Sequence, residues 1–568
     1  MLTPRERLQG VGLVVLMIVS MILEMLGIGI VVPALSAMSS GMSSLSSPAM
    51  QDWLAYFGNP SQSQIILAGL VILVAIYVIK VAFLVFTNWR QAAFVSRVHS
   101  RIAMELFRRY LLQPWRYHLA NNSADLLQKL GETSGISSAC NAFLSLVAES
   151  LVLAGILGLL LWYEPIGAIA VGVLMGAASW LLQFATQTRL QQWGARYWHH
   201  VGQAHRIFAE GLQGAKDIKV LGREQTLLDR ATIHKREQAQ LNARNTVVQQ
   251  LPRLWFELIA VGGLCMLTAV MVREGKSPQA MVPTLGLFAA AAFRMLPSAN
   301  RVITALQTLR FGSAVMNALY ADLQLPESAP ASRCEPLPFQ EAIRLDGVGF
   351  RYDNSPSHAL AGVSMTIPHG SSVGLIGGSG AGKSTLVDIL LGLLTPTSGR
   401  VTVDGTDIAD HLRAWQSIVG YVPQSIFLSD DTIRANVAFG VPPDEIDDAA
   451  VARAIKAAQL DQVVAELAEG TNTVLGERGM RLSGGQRQRI GVARALYHDP
   501  RVLVLDEATS ALDSETEKGV MEAVESLHGA KTLIIIAHRL TTVAHCDVLY
   551  RLEQGKVVAA GSFAEVTS

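Results

Sequence analysis

The chain has 568 residues, of which 50% are apolar and 16% charged, with 46 basic and 46 acidic residues in balance. Its length exceeds one ordinary domain, and its apolar share is high for a wholly soluble protein. A formal net charge of zero excludes the basic footprint of a nucleic-acid binder, and no nucleic-acid partner is expected.

The first ten residues, MLTPRERLQG, are charged and run into a long apolar stretch without a small-residue cleavage site. They read as the entry to an uncleaved membrane helix, not as a signal peptide. Apolar runs over 11–35, 64–88, 141–162, 166–188, 252–273 and 279–308 are each near the roughly 20 residues that cross a bilayer. The segments 89–140 and 189–251 between them are long, helical in pattern and rich in Arg and Lys. The segments 36–63, 163–165 and 274–278 hold almost no basic residues. The positive-inside rule places the basic pair, and with it both termini, in the cytoplasm. Breaks in pattern at Gln113-Pro114-Trp115 and over 210–214 mark the two loop tips. The external segment 50–57, with Trp53, Leu54, Tyr56 and Phe57, reads either as an interfacial amphipathic helix or as ordinary loop packing. Four cysteines, Cys140, Cys265, Cys334 and Cys546, are widely separated and form no metal-spaced or redox pair.

The membrane part is expected over 1–325. A Pro-, Ser- and Ala-rich linker follows over 326–342. From 343 to 568, β-branched runs alternate with helical patterns, as in an α/β domain.

Within that last part, Gly377-Gly378-Ser379-Gly380-Ala381-Gly382-Lys383-Ser384-Thr385 follows the apolar run Val373-Gly374-Leu375-Ile376 and precedes a helical pattern. Strand, Gly-rich loop and helix in this order form the context of a P-loop. Its glycines let backbone N–H groups curl around phosphate oxygens at a helix start. Lys383 reaches the β- and γ-phosphates of ATP, and Ser384 is a Mg²⁺ ligand. A second apolar strand ends in Asp506-Glu507. Asp506 suits Mg²⁺, and Glu507 suits orienting the attacking water. Alone, a strand ending in Asp-Glu is an ordinary solvated strand end; the P-loop gives it meaning. Leu482-Ser483-Gly484-Gly485-Gln486 adds a second small-residue approach to phosphate.

With that set of motifs, 343–568 resembles the ABC ATPases, whose signature is Leu-Ser-Gly-Gly-Gln. The resemblance implies further roles: Tyr352 stacking on adenine, Gln424 at the metal and attacking water, Asp513 near the nucleotide, and His538 as a catalytic residue beside Glu507. It also implies that each ATP lies between one P-loop and the partner's Ser483, Gly484, Gly485 and Gln486. One chain cannot complete a site, so a homodimer is expected. An ABC ATPase after six helices with long cytoplasmic extensions resembles the exporter-type half-transporters. In those the loop tips, here near 114–123 and 212–221, meet the nucleotide domain, and 476–479 resembles the segment that receives them.

Ionisable residues inside spans are costly and point to function. Lys80 lies in the second span, Arg253 opens the fifth, and Arg294 and Arg301 lie seven residues apart in the sixth. Together they suggest a cationic cavity for an anionic substrate. The bland alternative is snorkelling, or pairing with Glu24 or Glu257. The run from Arg294 to Arg301, the external segment and Gly27-Ile28-Gly29-Ile30-Val31-Val32-Pro33 resemble the PglK-type flippases of lipid-linked oligosaccharides. Lys80 departs from the Arg of that family, replacing a bidentate fork with a point charge. The reading that results is an ATP-driven flippase in the bacterial inner membrane. It would move a polyprenyl-pyrophosphate-linked oligosaccharide to the outer leaflet and contact membrane lipid. Alternatives are an exporter of lipid A, phospholipid, drugs or peptides, and an ATP-gated channel or sensor with little turnover.

Overall fold

A computed structural model of the chain describes residues 3–40, 62–163, 165–273, 275, 278–326, 335–353, 355–476, 479–480, 482–507, 514–537 and 539–567. The external segment 50–57, Asp513, His538 and residues 327–334 of the expected linker lie outside the described residues. The chain divides into two compact units, Met1–Gln113 with His118–Ser328, and Pro114–Tyr117 with Ala329–Ser568.

The first unit is all helix. Its long members are α1 (Pro4–Ser40), α2 (Gln62–Leu111), α5 (Ser134–Tyr163), α6 (Pro165–Gln213), α8 (Glu224–Arg273) and α9 (Pro278–Phe311). Short helices α3 (Trp115–Ala120), α4 (Ser123–Gly131), α7 (Ala215–Leu221) and α10 (Ser313–Asp322) punctuate them, α3 lying across the division between the units. Among the described residues, four stretches are long and apolar enough to cross a membrane: Pro4–Leu26, Val74–Leu111, Ser123–Leu159 and Glu224–Arg273. The 50 residues of α2 rise about 75 Å at 1.5 Å per residue, well beyond a bilayer core. The expected break at Gln113-Pro114-Trp115 falls between α2 and α3. The expected break over 210–214 is narrower than its sequence suggests: α6 continues through Gly211 to Gln213 and stops only at Gly214. A Cβ at Gly211 would meet only the end of Leu227, so nothing there forces the chain to turn.

α5 packs on α9, α6 on α8, and α1 on both α2 and α5. Gly194 permits the closest approach, since a Cβ there would collide with the Phe311 carbonyl at the end of α9. Inside lie Ile156, Phe256, Met295 and Ile303; outside lie Val74, Val78, Val81, Leu258 and Val261. Helices that keep apolar residues on their outer face belong in lipid. At the end of the unit, Asp322 accepts from the Tyr110 hydroxyl (2.7 Å) and pairs with Lys129 (2.8 Å). Arg109 and Gln113 donate to the carbonyls of Leu325 and Pro326, both at 2.9 Å.

The second unit holds two sheets. β1 (Ala342–Phe350), β2 (Leu360–Pro368), β4 (Ser398–Val403) and β5 (Thr406–Asp407) form an antiparallel sheet in the order β2-β1-β4-β5. β3 (Ser372–Ile376), β6 (Val419–Val422), β7 (Val502–Asp506), β8 (Thr532–Ile536), β9 (Val548–Glu553) and β10 (Lys556–Gly561) form the other, in the order β10-β9-β3-β8-β7-β6. All its pairings are parallel except β9–β10. β3 and β8 are buried along their whole length, as strands covered on both faces must be. Helices α11 (Lys383–Leu390), α12 (Ile433–Val437), α13 (Asp448–Ala457), α14 (Gly484–Leu496) and α15 (Ser514–Glu525) are among those that cover the sheets. Trp415 is fully buried, and its indole N–H donates to the Leu390 carbonyl at 2.7 Å. Asp404 holds the entry to β1 by accepting the backbone N–H groups of Gln340, Glu341 and Ala342 at 2.6, 2.9 and 3.0 Å.

Candidate nucleotide site and membrane charges

The parallel pairing explains why residues far apart in sequence converge. The P-loop leaves the carboxyl end of β3, Gln424 follows β6, and Asp506-Glu507 ends β7, so all lie at one edge of one sheet. Ligands of open α/β sheets bind at that edge. In the P-loop, Gly380 (φ 77°) and Gly382 (φ 100°) take left-handed backbone that other residues rarely adopt. A Cβ at Gly382 would also strike the Ala359 carbonyl. Ala381 is buried, and the hydroxyl of Ser384 heads α11 at an exposed position. The Lys383 ammonium donates to the carbonyls of Gly377 (2.7 Å) and Gly378 (3.0 Å). Burial pushes its pKa down, against the pull of Glu507 and Asp506.

Tyr352 stands edge-on to Phe350, and its hydroxyl lies 3.1 Å from Thr385 Oγ1. That contact places the ring beside the P-loop. Gln424 Nε2 donates to the Glu507 carboxylate. Glu507 itself sits at φ 48°, with its N–H donating to the Ile536 carbonyl at 3.0 Å. A left-handed non-glycine residue is uncommon and costs free energy, and such residues cluster at functional sites. Ser483 and Gln486 form a reciprocal cap at the start of α14. Ser483 Oγ accepts from Gln486 N (3.2 Å), and Gln486 Oε1 accepts from Ser483 N (2.9 Å). Gly484 is exposed beside them and Gly485 is buried.

Several positioning residues carried no motif. Arg494 of α14 donates to the carbonyls of Asn436 (2.8 Å) and Phe427 (2.7 Å), tying the signature helix to the segment after Gln424. Burial pushes its pKa down. Asp388 is an acid between Val387 and Ile389, both buried, and that misfit in an apolar run was the available signal. Its carboxyl is pushed up to about 6 by burial; the Trp115 side chain, hydrogen-bonded to it, pulls the other way, and nearby Asp506 adds to the rise. Tyr421 has its pKa raised by burial, by the charges of Asp506 and Asp388, and by its hydrogen bond to Asp506.

Three of the four cations expected to line a cationic cavity have described side chains, and each of the three pairs with a carboxylate. Lys80 Nζ lies 3.0 Å from Glu24 Oε2, with side chains only 11% and 4% exposed, and 4.9 Å from the Tyr77 ring. Arg301 pairs with the mostly buried Glu149. Arg253 pairs with Glu257 one turn on, at 3.0 Å. A desolvated cation is far more costly alone than paired, which accounts for the buried pair of Lys80 with Glu24. Arg294 lies in α9, but its side chain is outside the described residues.

Comparison with known proteins gives a consistent picture. The family model described as ABC transporter matches residues 360–510, and that described as ABC transporter transmembrane region matches 15–269. The chain is similar to the ATP-dependent lipid A-core flippase of Cupriavidus pinatubonensis, 31% identical over 83% of this chain and 80% of that one. It is 30% identical to the protein of the same name from Dechloromonas aromatica, over 87% of this chain and 85% of the relative. The like-named protein of Chromobacterium violaceum is 30% identical over 93% and 91%. Among solved structures, a bacterial Atm1-family ABC exporter with ATP bound superposes with a TM-score of 0.82 over 99% of this chain and 96% of that one, at 24% identity.

Proposed function

The chain belongs to the ABC transporter family, an ATP hydrolase coupled to transport across a membrane, and on that premise we propose that it is a homodimeric flippase for a phosphorylated glycolipid of the lipid A-core class. The observation that carries the reading is the likeness to lipid A-core flippases along at least four-fifths of both chains. It favours that substrate over the polyprenyl-pyrophosphate-linked oligosaccharide expected from the sequence. The run from Arg294 to Arg301 keeps the oligosaccharide as a second reading. Both substrates carry sugar-linked phosphate on a lipid, and phosphate resists leaving water unless fixed donors replace its hydration. Lys80, Arg253, Arg294 and Arg301 are the donors proposed, each of the three described ones held by a carboxylate until an anion competes for it.

In the ATPase unit, the roles proposed rest on the motifs and, for the described residues, on their placement at the sheet edge. Backbone N–H groups of 377–385 cradle the phosphates, Lys383 exchanges two carbonyls for phosphate oxygens, and Tyr352 supports the adenine. Ser384, Gln424 and Asp506 offer hard oxygen donors that suit Mg²⁺, which when bound neutralises phosphate charge. Glu507, held by Gln424, orients the attacking water, and His538 assists it. Ser483, Gly484, Gly485 and Gln486 of the partner subunit's copy complete each site, with Asp513 nearby. The protein is proposed to lie in the bacterial inner membrane with both termini and the ATPase unit cytoplasmic, moving lipid outward.

The deciding measurement uses proteoliposomes containing the purified chain, ATP, and either fluorescent lipid A-core or a fluorescent polyprenyl-pyrophosphate oligosaccharide. Faster flipping and stimulated phosphate release with lipid A-core are expected. Activity with the oligosaccharide alone would overturn the first reading in favour of the second. Neutralising Arg294 and Arg301 together should stop flipping of either while sparing basal hydrolysis.

A further inference from the structure

The chain passes between its two units at 113/114, at 117/118 and at 328/329. Within the membrane unit, residues beside all three crossings are fastened to one another. Tyr110 of α2 stands just before the first, Lys129 of α4 follows the second, and Asp322 at the end of α10 precedes the third. One oxygen of Asp322, Oδ2, accepts the Tyr110 hydroxyl at 2.7 Å and lies 2.8 Å from the Lys129 ammonium. Arg109 and Gln113 add bonds to the carbonyls of Leu325 and Pro326, both at 2.9 Å. Tyr110 is buried, and the Asp322 side chain is only 15% exposed. Hydrogen bonds to an ionised acceptor are roughly twice as strong as neutral ones. Three helices from separate stretches of sequence therefore meet at one carboxylate.

A hydrolase coupled to transport has to carry a change at its nucleotide sites into its membrane unit. Such a change travels through bonded and packed networks. A crossing that slides alone dissipates it, whereas crossings held to one acceptor move as a body. We propose that Asp322 is a positioning residue for coupling: by holding Tyr110 and Lys129 together, it makes α2, α4 and α10 respond to ATP as one piece. Without it, hydrolysis continues and transport lags behind. The inference rests on the ATPase-coupled transport of the family; only the choice of lipid probe rests on the lipid A-core reading.

Full-length protein is placed in proteoliposomes with fluorescent lipid A-core, and flipped lipid and released phosphate are read from one sample. Asp322→Ala is expected to lower the lipid moved per ATP about fivefold, with basal phosphate release within about twofold. Asp322→Glu keeps an acceptor and should restore most of the ratio. A purely structural loss lowers both rates together, so an unchanged ratio in Asp322→Ala overturns the proposal. Should that variant fail to fold, Tyr110→Phe, which removes one donor, carries the test, and a native ratio in it counts the same way. If the native chain moves no lipid A-core, the lipid reading fails by itself and hydrogen exchange decides. ATP should then alter exchange over α4 in the native chain and not in Asp322→Ala, while protection over 377–385 persists in both. Equal responses of α4 in the two proteins, or none in the native chain, would be fatal to the idea.

Discussion

The two units solve the problem of polar groups in opposite ways. The ATPase unit hides its apolar residues in two clusters about its sheets and gathers its polar chemistry at one sheet edge. The membrane unit turns valine and leucine outward and buries the pair of Lys80 and Glu24, while Arg301 reaches across to Glu149 of another helix. In the first, function is concentrated in short motifs because strand ends deliver them together. In the second, what a charge does depends on a distant residue, such as Glu149 for Arg301, 152 positions away.

The comparison breaks first at Glu507. Glu507→Gln keeps the phosphate and metal contacts but no longer polarises water, so turnover should fall about 10²–10⁴-fold while ATP binding persists. Phosphate release beside nucleotide binding measures it, and an undiminished rate would remove Glu507 from the reaction. Next is the buried pair of the membrane unit. Lys80→Met removes the described base from Glu24 and should destabilise the unit by about 3–5 kcal/mol, while Lys80→Met with Glu24→Leu should recover most of that loss. Thermal unfolding in detergent reads both, and a single variant as stable as the native chain would show the pair to be inert.

A smaller effect is expected at Asp404. Burial raises its pKa, but the N–H groups of Gln340, Ala342 and Glu341, with nearby His369, bring the net value below the usual carboxylate range. Asp404→Asn retains a residue type that tolerates its positive φ of 46° and loses the charge. It should cost about 1–2 kcal/mol near neutral pH. A depressed folded pKa gives stability that is present above the unfolded value of about 3.9 and lost as pH falls through the folded one. The gap between native and variant should therefore close below about pH 4. The smallest effect is at Arg253, whose exposed pair with Glu257 is of the i,i+4 kind. Arg253→Gln should alter stability by no more than about 0.5 kcal/mol. A large fall in flipping with that stability intact is expected of a substrate donor, and unchanged flipping would remove Arg253 from the donors proposed.

What was legible in the sequence follows the same division. The P-loop, Asp506-Glu507 and the signature announced themselves because each needs particular residue types in a row. Six long helices were legible because apolar runs of bilayer length have few other uses. The break after α6 falls at Gly214, inside the expected 210–214; the expectation is broader because a glycine at 211 looks like a break when its surroundings are unknown. Glu24 was named beforehand as a possible partner for Lys80, but only the packing of α1 on α2 decides between pairing and a free cation. Arg494 belongs to no motif: its bonds to the Asn436 and Phe427 carbonyls join residues 58 and 67 positions apart.

The pair between Glu24 and Lys80 also bears on how the protein is made. A nascent chain presents its helices to the bilayer in order, and the apolar stretch of α1 arrives carrying Glu24 and no basic residue. A lone charge at mid-membrane costs roughly 2.5–3.5 kcal/mol on insertion scales. The base lies on α2. The first helix therefore gains by waiting at the insertion site until the second emerges, and the two enter lipid as one hairpin.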